Sequence, residues 1–342
     1  MTFTVLQSVY KKDTPEFLAQ SLQSIAESTR APEKVVLVKD GSLTPGLESV
    51  IGEWRTRLPL HVVGYAENRG LAHALNFGLQ FVETELVARM DSDDICLPDR
   101  FARQMIQFEV DGSLAVLGTG IEEFYEDGGR SFHQVRLYPR RTTRTSRSLY
   151  KGTPLAHPTA MFRTDVLRQF GYREDTRCNE DIDLWFRLLA AGHEIRTLQT
   201  PLLRFRITDG TFRRRSLAKA FDEFRIYSRS LRAFNGLTAN HFYLLLRLLS
   251  RLVPGGMSRR LYLSAARREM FREDVMRVKS IQGQVFMKSG HLFEALLEVE
   301  EDGRRIIKAV QLDSDGDNTV DVPADEVELL RLRCSQDVVL NS

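Results

Sequence analysis

An α/β fold built on a mostly parallel sheet is what this 342-residue sequence predicts, and three observations predict it. Short apolar runs alternate with stretches of helical spacing over the first ~100 residues, a rhythm that suits right-handed parallel crossovers. The fourth apolar run, Leu86–Met90, stops abruptly in Asp91, Asp93 and Asp94. A strand that ends in clustered acids puts them at the carboxyl edge of a sheet, where open α/β folds bind ligands. No Gly-x-Gly-x-x-Gly follows the first run and no Gly-Lys-Ser/Thr loop occurs. Dinucleotide binding and P-loop chemistry both lose support.

In chain order, residues 3–10 form a compact first strand. Residues 15–28 follow as a helix with Phe17, Leu18, Leu22 and Ile25 on one face. Residues 34–39 make a second strand that runs into Asp40-Gly41-Ser42, residues 47–58 a helix, and residues 60–65 a third strand. Residues 70–82 read as a helix with Leu71, Ala74, Leu75, Gly78 and Leu79 along its apolar side. Beyond the acid-tipped strand, Pro98 suits the first turn of a helix that continues over 101–110. A strand over 114–125, a turn at 126–130 and a basic, Thr-rich segment over 136–147 come next. Residues 155–163 read as a loop entering an extended segment, after which Thr164 is placed to cap a helix. Asn179 is placed to cap another, whose first turn carries Glu180, Asp181 and Asp183, favourable against the helix dipole.

Composition sets the class. Apolar content of 42% and charged content of 27% are those of a globular protein. Cys96, Cys178 and Cys334 show neither a disulfide framework nor a zinc spacing, which points to a reducing cytoplasm. No basic flank followed by a long apolar core opens the chain, so no signal peptide is expected, and no apolar window is long enough to span a membrane. The net charge of +2 hides three electrostatic regions. Residues 213–272 hold 14 Lys and Arg against 3 Asp and Glu, a local +11. Residues 273–342 hold 8 against 15, a local −7, and residues 1–212 therefore carry −2.

Three uncompensated carboxylates at one point repel one another unless a cation sits among them. Hard oxygen ligands favour Mg²⁺ or Mn²⁺, which commonly bridges to substrate phosphates. The plainer reading of an isolated Asp-x-Asp is a solvated turn, and acids in a helical first turn are common without catalysis. What separates the readings is the set of motifs in order: Ser8-Val9-Tyr10, Lys39-Asp40-Gly41-Ser42, Glu67-Asn68-Arg69-Gly70-Leu71-Ala72-His73, Ala88-Arg89-Met90-Asp91-Ser92-Asp93-Asp94, His157-Pro158-Thr159 and Glu180-Asp181-Ile182-Asp183-Leu184-Trp185. Over roughly residues 1–270 this resembles glycosyltransferase family 2, and within it the AmsE-like enzymes of bacterial exopolysaccharide and O-antigen assembly.

The resemblance implies a GT-A fold and inverting transfer of a sugar from a nucleotide-sugar, most commonly a UDP-sugar, to an acceptor hydroxyl. It implies Asp93 as metal ligand, with Asp91 nearer the ribose or the metal and Asp94 beside them. Ser8, Val9, Tyr10, Asp40, Asn68, Arg69, Ala72, Asp91 and Ser92 become the donor-nucleotide set. Asp40 is expected to accept from uracil or ribose, and exposed N–H groups with the Arg69 cation to meet the pyrophosphate; a solvated Arg69 is the alternative. By family position Asp181, preceded by Glu180, is the base that removes the acceptor proton. Asp183 faces another side of the helix and reads as structural. His157 and Trp185 are acceptor-site candidates, and a His that bonds only within its own loop is the plainer alternative. Related enzymes often carry a His after the last core strand; here residues 203–209 contain none, and Asp209 or water is left as the third metal ligand.

Residues 1–212 are thus expected to form the catalytic domain, donor half to about residue 100, and 213–272 a basic amphipathic helical segment. Residues 240–253 are leucine-rich with Arg247 and Arg251 opposite, a Pro254-Gly255-Gly256 break follows, and residues 259–272 are a further helix candidate. Such a segment suits peripheral docking on the anionic inner face of a plasma membrane, beside a lipid-linked or oligosaccharide acceptor. A helix packed on the core with its charges in water is the alternative, and nucleic acid is disfavoured because no reading module accompanies the arginines. Residues 273–342 read as a small acidic β-containing appendage; residues 313–324 fail the calcium-loop pattern. The competing functions are a sugar nucleotidyltransferase, which would want a Gly-rich basic loop after the first strand, and a non-catalytic sugar-nucleotide-binding relative, which would lose Asp93 or Asp181. The motifs do not select among galactose, glucose and N-acetylhexosamines.

Overall fold

Alternation of side chains along each strand builds the molecule. The computed structural model describes residues 1–127, 130–175, 179–208 and 217–251, with four strands between residues 285 and 323. The first seven elements follow the expected rhythm: β1 (Phe3–Val9), α1 (Pro15–Ala26), β2 (Lys34–Asp40), α2 (Pro45–Trp54), β3 (Leu60–Tyr65), α3 (Leu71–Leu79) and β4 (Leu86–Met90). On β2, Val36 and Val38 enter one apolar cluster and Val35 and Leu37 the other. On β4, Val87 joins the first cluster while Leu86, Ala88 and Met90 join the second. Strands buried on both faces in this way require helices on both sides, which gives three layers. Gly78 lets α3 sit close on its side, since a Cβ there would lie 2.5 Å from Val38 and 2.6 Å from Leu6.

The later elements are β5 (Ile95–Cys96), α4 (Arg100–Val110), β6 (Val116–Asp127), β7 (Arg130–Arg136), β8 (Arg141–Thr142), β9 (Met161–Arg163), α5 (Thr164–Phe170), α6 (Glu180–Ala190) and β10 (Ile195–Arg206). The sheet runs β3-β2-β1-β4-β9-β6-β10-β5, with β7 added on β6 and β8 on β10. Its first four strands are parallel; β9 is antiparallel to both β4 and β6, and β10 is parallel to β6. The mixed half thus begins immediately beside the acid-tipped strand. A buried polar pair ties the halves together: Arg100 donates to the Arg89 carbonyl at 2.8 Å, and Gln104 donates to the carbonyls of Leu117 and Thr159 at 2.8 and 2.9 Å.

Several boundaries differ from expectation for local reasons. α4 begins at Arg100, two residues beyond Pro98, and α2 begins at Pro45, where Thr44 accepts from the Leu47 amide at 3.4 Å. Thr164 lies inside α5 rather than capping it. Asn179 holds the cap position of α6, but its side chain donates instead to the Lys219 carbonyl at 3.3 Å. The basic segment at 136–147 runs from the end of β7 through the short β8 to a 3₁₀ turn at Arg147–Tyr150.

Two further helices follow on the C-terminal side of β10. The compact unit runs from Met1 to Arg260, past the division expected at residue 212. Its α7 (Leu217–Asn235) buries Ala220, Glu223, Tyr227 and Leu231, one per turn, and the Tyr227 ring meets Phe186 of α6 edge-on at 5.0 Å. The arginines of α7, by contrast, face outward: Arg225, Arg229 and Arg232 are exposed. α8 (His241–Arg251) follows with Leu244 buried and Phe242, Tyr243, Leu245, Leu246 and Leu249 exposed. Among the described residues no helix is long and apolar enough to cross a membrane. The helix expected over 259–272, Asp209 and most of the calcium-like segment lie outside the described residues. The second unit, Leu261–Ser342, contains an antiparallel four-stranded sheet in chain order: β11 (Val285–Lys288), β12 (His291–Glu301), β13 (Arg304–Gln311) and β14 (Thr319–Pro323).

Candidate functional site

The site is built outward from the end of β4. The ligand oxygens of Asp91, Asp93 and Asp94 all lie within 4.8 Å of one another. The three residues are held from different directions. The Asp91 carbonyl accepts from Gln7 of β1 and Ser21 of α1 at 2.9 and 3.0 Å, and its carboxylate pairs with Arg89. Asp94 is fully buried, with one oxygen accepting the Arg206 amide at 2.9 Å and the other, Oδ2, unpaired. Arg206 also donates to the Asp93 carbonyl at 2.9 Å, so the end of β10 clamps the cluster. Burial first, and then the charges of Asp93 and Asp91, push the Asp94 carboxyl well above the usual carboxylate range. A buried orphan oxygen, mutual repulsion and an all-carboxylate donor set fit a hard divalent cation.

The donor-side residues gather at the carboxyl ends of β1 and β2. Asp13 accepts from the Tyr10 amide at 3.1 Å and from the Ser92 hydroxyl at 2.8 Å, joining the first loop to the acid cluster. Asp40 is buried and its oxygens receive four donors: Tyr65 at 2.9 Å, the Asn68 amide group at 2.7 Å, and the backbone N–H of Arg69 and Gly70 at 2.7 and 3.0 Å. A carboxylate has about four acceptor positions, so here they are filled from within the chain. The N–H groups of Arg69 and Gly70, expected to be open to a pyrophosphate, are the ones Asp40 takes. The turn needs Gly41 at φ +87°, because a Cβ there would lie 2.7 Å from the Asn68 nitrogen. The Arg69 side chain is exposed, Ala72 is packed inside α3, Ser8 is half-buried and Val9 is buried.

The second acid group opens α6. Glu180 is buried and Asp181 half-buried. Burial and the neighbouring Asp181 charge push Glu180 up to about 7, and burial raises Asp181 as well. Asp183 is set apart, paired with Arg187 at 2.6 Å and Arg173 at 3.4 Å. His157 and Trp185, the acceptor candidates, both lie inside. His157 contacts the Tyr172 hydroxyl at 3.0 Å and is held neutral, well below the usual histidine range, by burial and by Arg89. Trp185 is 1% exposed and stacks on Phe162, with ring centroids 5.8 Å apart. The two rings meet edge-on with centroids 6.0 Å apart, and both are buried.

Arg89 was not singled out by sequence reasoning, yet it is common to both acid groups. Strand alternation sends it to the face of Val87, the face that α6 covers. It pairs with Asp91, its Nε and Nη1 are buried without a protein partner, and its charge opposes the raised values of Asp94, Glu180 and Asp181. The available signal was an arginine in the middle of an otherwise apolar strand. Asp13 and Tyr172, which lie between motifs, and Lys219 and Glu223, which lie beyond the last one, were also missed.

With this geometry in place, comparison with known proteins is specific. A family model described as "Glycosyl transferase family 2" matches residues 4–171. The chain is 33% identical over 262 residues to the amylovoran biosynthesis glycosyltransferase AmsE of Erwinia amylovora, covering 76% of this chain and 97% of that one. It is also 33% identical over 271 residues to the Escherichia coli UDP-Gal:alpha-D-GlcNAc-diphosphoundecaprenol beta-1,3-galactosyltransferase, covering 78% and 97%. Among solved structures it matches S. aureus TarS 1-349 in complex with UDP at a TM-score of 0.51 and 18% identity, covering 93% of this chain and 98% of that one. At that identity the likeness concerns the fold, which is the GT-A type.

Proposed function

Since the chain belongs to glycosyltransferase family 2, we propose that it moves a sugar, with inversion, from a UDP-sugar to a hydroxyl of a lipid-linked acceptor in surface-polysaccharide assembly. The observation that carries this reading is the pairing of two differently tuned acid groups around Arg89. Asp93 and Asp91 would hold Mn²⁺ or Mg²⁺, which when bound supplies charge neutralisation for the leaving diphosphate. The chain's own residues do the rest. Gln7, Ser21 and Arg206 fix the backbone of the acid cluster, Asp40 shapes the turn that presents Arg69 to the diphosphate, and Asp13 holds Tyr10 and Ser92 beside the nucleoside.

At the other acid group, the Asp181 carboxylate takes the acceptor hydroxyl proton as the acceptor oxygen bonds to the anomeric carbon. The bond to the diphosphate oxygen breaks on the opposite face, which inverts the centre. Glu180 next to it keeps the pair's proton affinity high, suited to a base working near neutrality. The E. coli relative's name gives UDP-Gal as donor and a diphosphoundecaprenol-linked acceptor; a UDP-hexose and a polyprenyl-linked saccharide are the substrate classes we assign here. A bilayer-borne acceptor also gives a reason for α8, where Phe242, Leu245, Leu246 and Leu249 form an exposed apolar stripe beside the outward arginines of α7. We assign that hairpin to peripheral contact with the anionic inner face of the membrane.

Isothermal titration with UDP, with and without Mn²⁺, tests the donor site. Metal-dependent UDP binding that is lost in Asp93→Ala supports it; binding indifferent to both sinks the metal-dependent UDP-sugar reading. Cosedimentation with vesicles tests the hairpin. Anionic phosphatidylglycerol vesicles should retain the chain, zwitterionic ones should not, and Leu246→Glu should release it.

A further inference from the structure

The basic, Thr-rich segment after β7 has no part in sugar transfer as derived above. Residues 128–164 hold seven arginines and one lysine and no Asp or Glu. Residues 224–251, from the middle of α7 to the end of α8, hold five arginines and again no acid. Stretches of like charge repel, yet the fold holds these two together through neutral groups. The Asn235 side chain, at the end of α7, donates to the Arg144 carbonyl at 3.4 Å and to the Tyr150 hydroxyl at 3.5 Å. The Thr238 hydroxyl donates to the same Tyr150 oxygen at 3.3 Å. The Tyr150 ring meets His241, the first residue of α8, edge-on with centroids 5.4 Å apart. Tyr150 is buried in this contact, while Arg144, Arg147 and Lys151 around it are exposed. Next to them the hairpin turns apolar side chains to solvent: Leu237, between α7 and α8, is 74% exposed and Phe242 60%. Leu237 is two residues from Asn235 and one from Thr238, so the cations and the apolar tip share one rim.

We propose that residues 144–151 form a binding site for the phosphates of anionic lipid headgroups, a second membrane contact 91 residues from its partner segment in the chain. The proposal rests on the reading of α8 as a membrane-facing helix. Only one kind of partner uses both halves of the rim. Nucleic acid would engage the arginines but offers no hydrocarbon to bury Leu237 and Phe242. An apolar protein groove would leave the cations unanswered. An anionic bilayer presents phosphates at the level of Arg144, Arg147 and Lys151 and acyl chains beneath them. Arg141 of the same segment is not counted, because it pairs with Glu194 at 2.7 Å. A second contact also supplies what one helix lacks. A helix lying on a surface is free to roll about its own axis, and a charged contact away from that axis stops the roll. The rim thus fixes which side of the catalytic fold faces the lipid that carries the acceptor.

The test is cosedimentation of the full chain with vesicles of phosphatidylglycerol in phosphatidylcholine. Each cation near an anionic surface is worth about a factor of five in binding, so Arg144→Gln, Arg147→Gln and Lys151→Gln together should weaken partitioning on the order of a hundredfold. The charge-keeping triple Arg144→Lys, Arg147→Lys and Lys151→Arg should bind like the parent. Arg30→Gln, Arg55→Gln and Arg57→Gln remove as much charge from exposed positions beside α1 and α2, on the other face of the sheet, and should cost far less. An unchanged Tm in each triple shows that the fold is kept. A first triple that binds like the parent, or a control triple that loses as much, overturns the proposal. So does binding to single-stranded RNA that the first triple abolishes while its vesicle binding persists. Leu246→Glu tests the hairpin separately. Release by that variant with the first triple unaffected removes the headgroup site alone, whereas a parent chain that ignores the vesicles removes the hairpin reading as well.

Discussion

The acid cluster at the end of β4 and the acid pair at the start of α6 are both raised above all by burial, and what differs is what stands around them. At β4 the buried Asp94 is pushed up by desolvation together with two neighbouring charges, and it keeps an oxygen with no donor. A cation relieves all three conditions at once. At α6 burial is again the largest cause for Glu180 and Asp181, joined at Glu180 by the Asp181 charge, but here the cations Lys219 and Arg89 oppose it. A proton, which fits where no metal shell does, relieves that situation. On the proposed reading the first group holds a cation and the second exchanges a proton.

The largest expected effect breaks this contrast at one end. Asp93→Ala should abolish metal-dependent UDP binding and turnover together, measured by calorimetry and UDP release. Asp181→Asn should lower kcat by on the order of a thousandfold while UDP affinity stays near the parent value, since a general base contributes roughly 10²–10⁴. A variant that loses both binding and turnover at Asp181 would erase the division of labour. Next in size is a pH effect. A carboxyl raised on folding costs stability as pH climbs from its unfolded value toward its folded one, so the repulsion at Asp94 is fully felt only at the upper end. Saturating Mn²⁺ should therefore raise Tm more at about pH 8 than at about pH 5, and Asp93→Ala should remove the difference. An equal rise at both values would mean that the cation does not relieve this cluster.

Asp40 supplies the control. It too is a buried carboxylate at a strand end, but four donors satisfy it. Asp40→Asn turns a donor group toward these donors and should cost about 2 kcal/mol of stability, read from urea unfolding, with weaker UDP binding but no change in metal dependence.

How much of this was legible in the sequence follows the same physics. β4 and its acids were plain, because an apolar run meeting three carboxylates is a local signal, and the parallel half of the sheet followed from short-range alternation. Asp40 was located correctly as a strand-end residue, but its saturation was not foreseeable, since Tyr65 and the 68–70 turn reach it only once β2 and β3 pair. Arg89 was hidden in the very motif that was read, because strand alternation decides which face it takes only when the neighbouring helices are known. In α7 the net positive charge that was read from composition is carried by the outward arginines, while the buried face holds Glu223 and Tyr227. Composition averaged over a helix conceals what its buried face does. The antiparallel β9 insertion between β4 and β6 joins segments more than 30 residues apart, which no periodicity reports.

The smallest effect probes the buried contact between His157 and Tyr172. His157 is buried and neutral, and its ring nitrogen meets the Tyr172 hydroxyl at 3.0 Å. Tyr172→Phe keeps the ring volume against His157 and removes only the hydroxyl. If the pair is scaffolding, the variant should lose about 1–3 kcal/mol, the cost of a buried polar group left without its partner, and turnover should fall no more than a few-fold with an unchanged pH profile. If His157 meets the acceptor directly, loss of the hydroxyl frees the imidazole to reorient, and KM for the acceptor should change more than stability does. Chemical denaturation and acceptor KM, measured side by side on this one variant, separate buried scaffolding from a binding surface, because the first moves mainly the unfolding midpoint and the second mainly the substrate term.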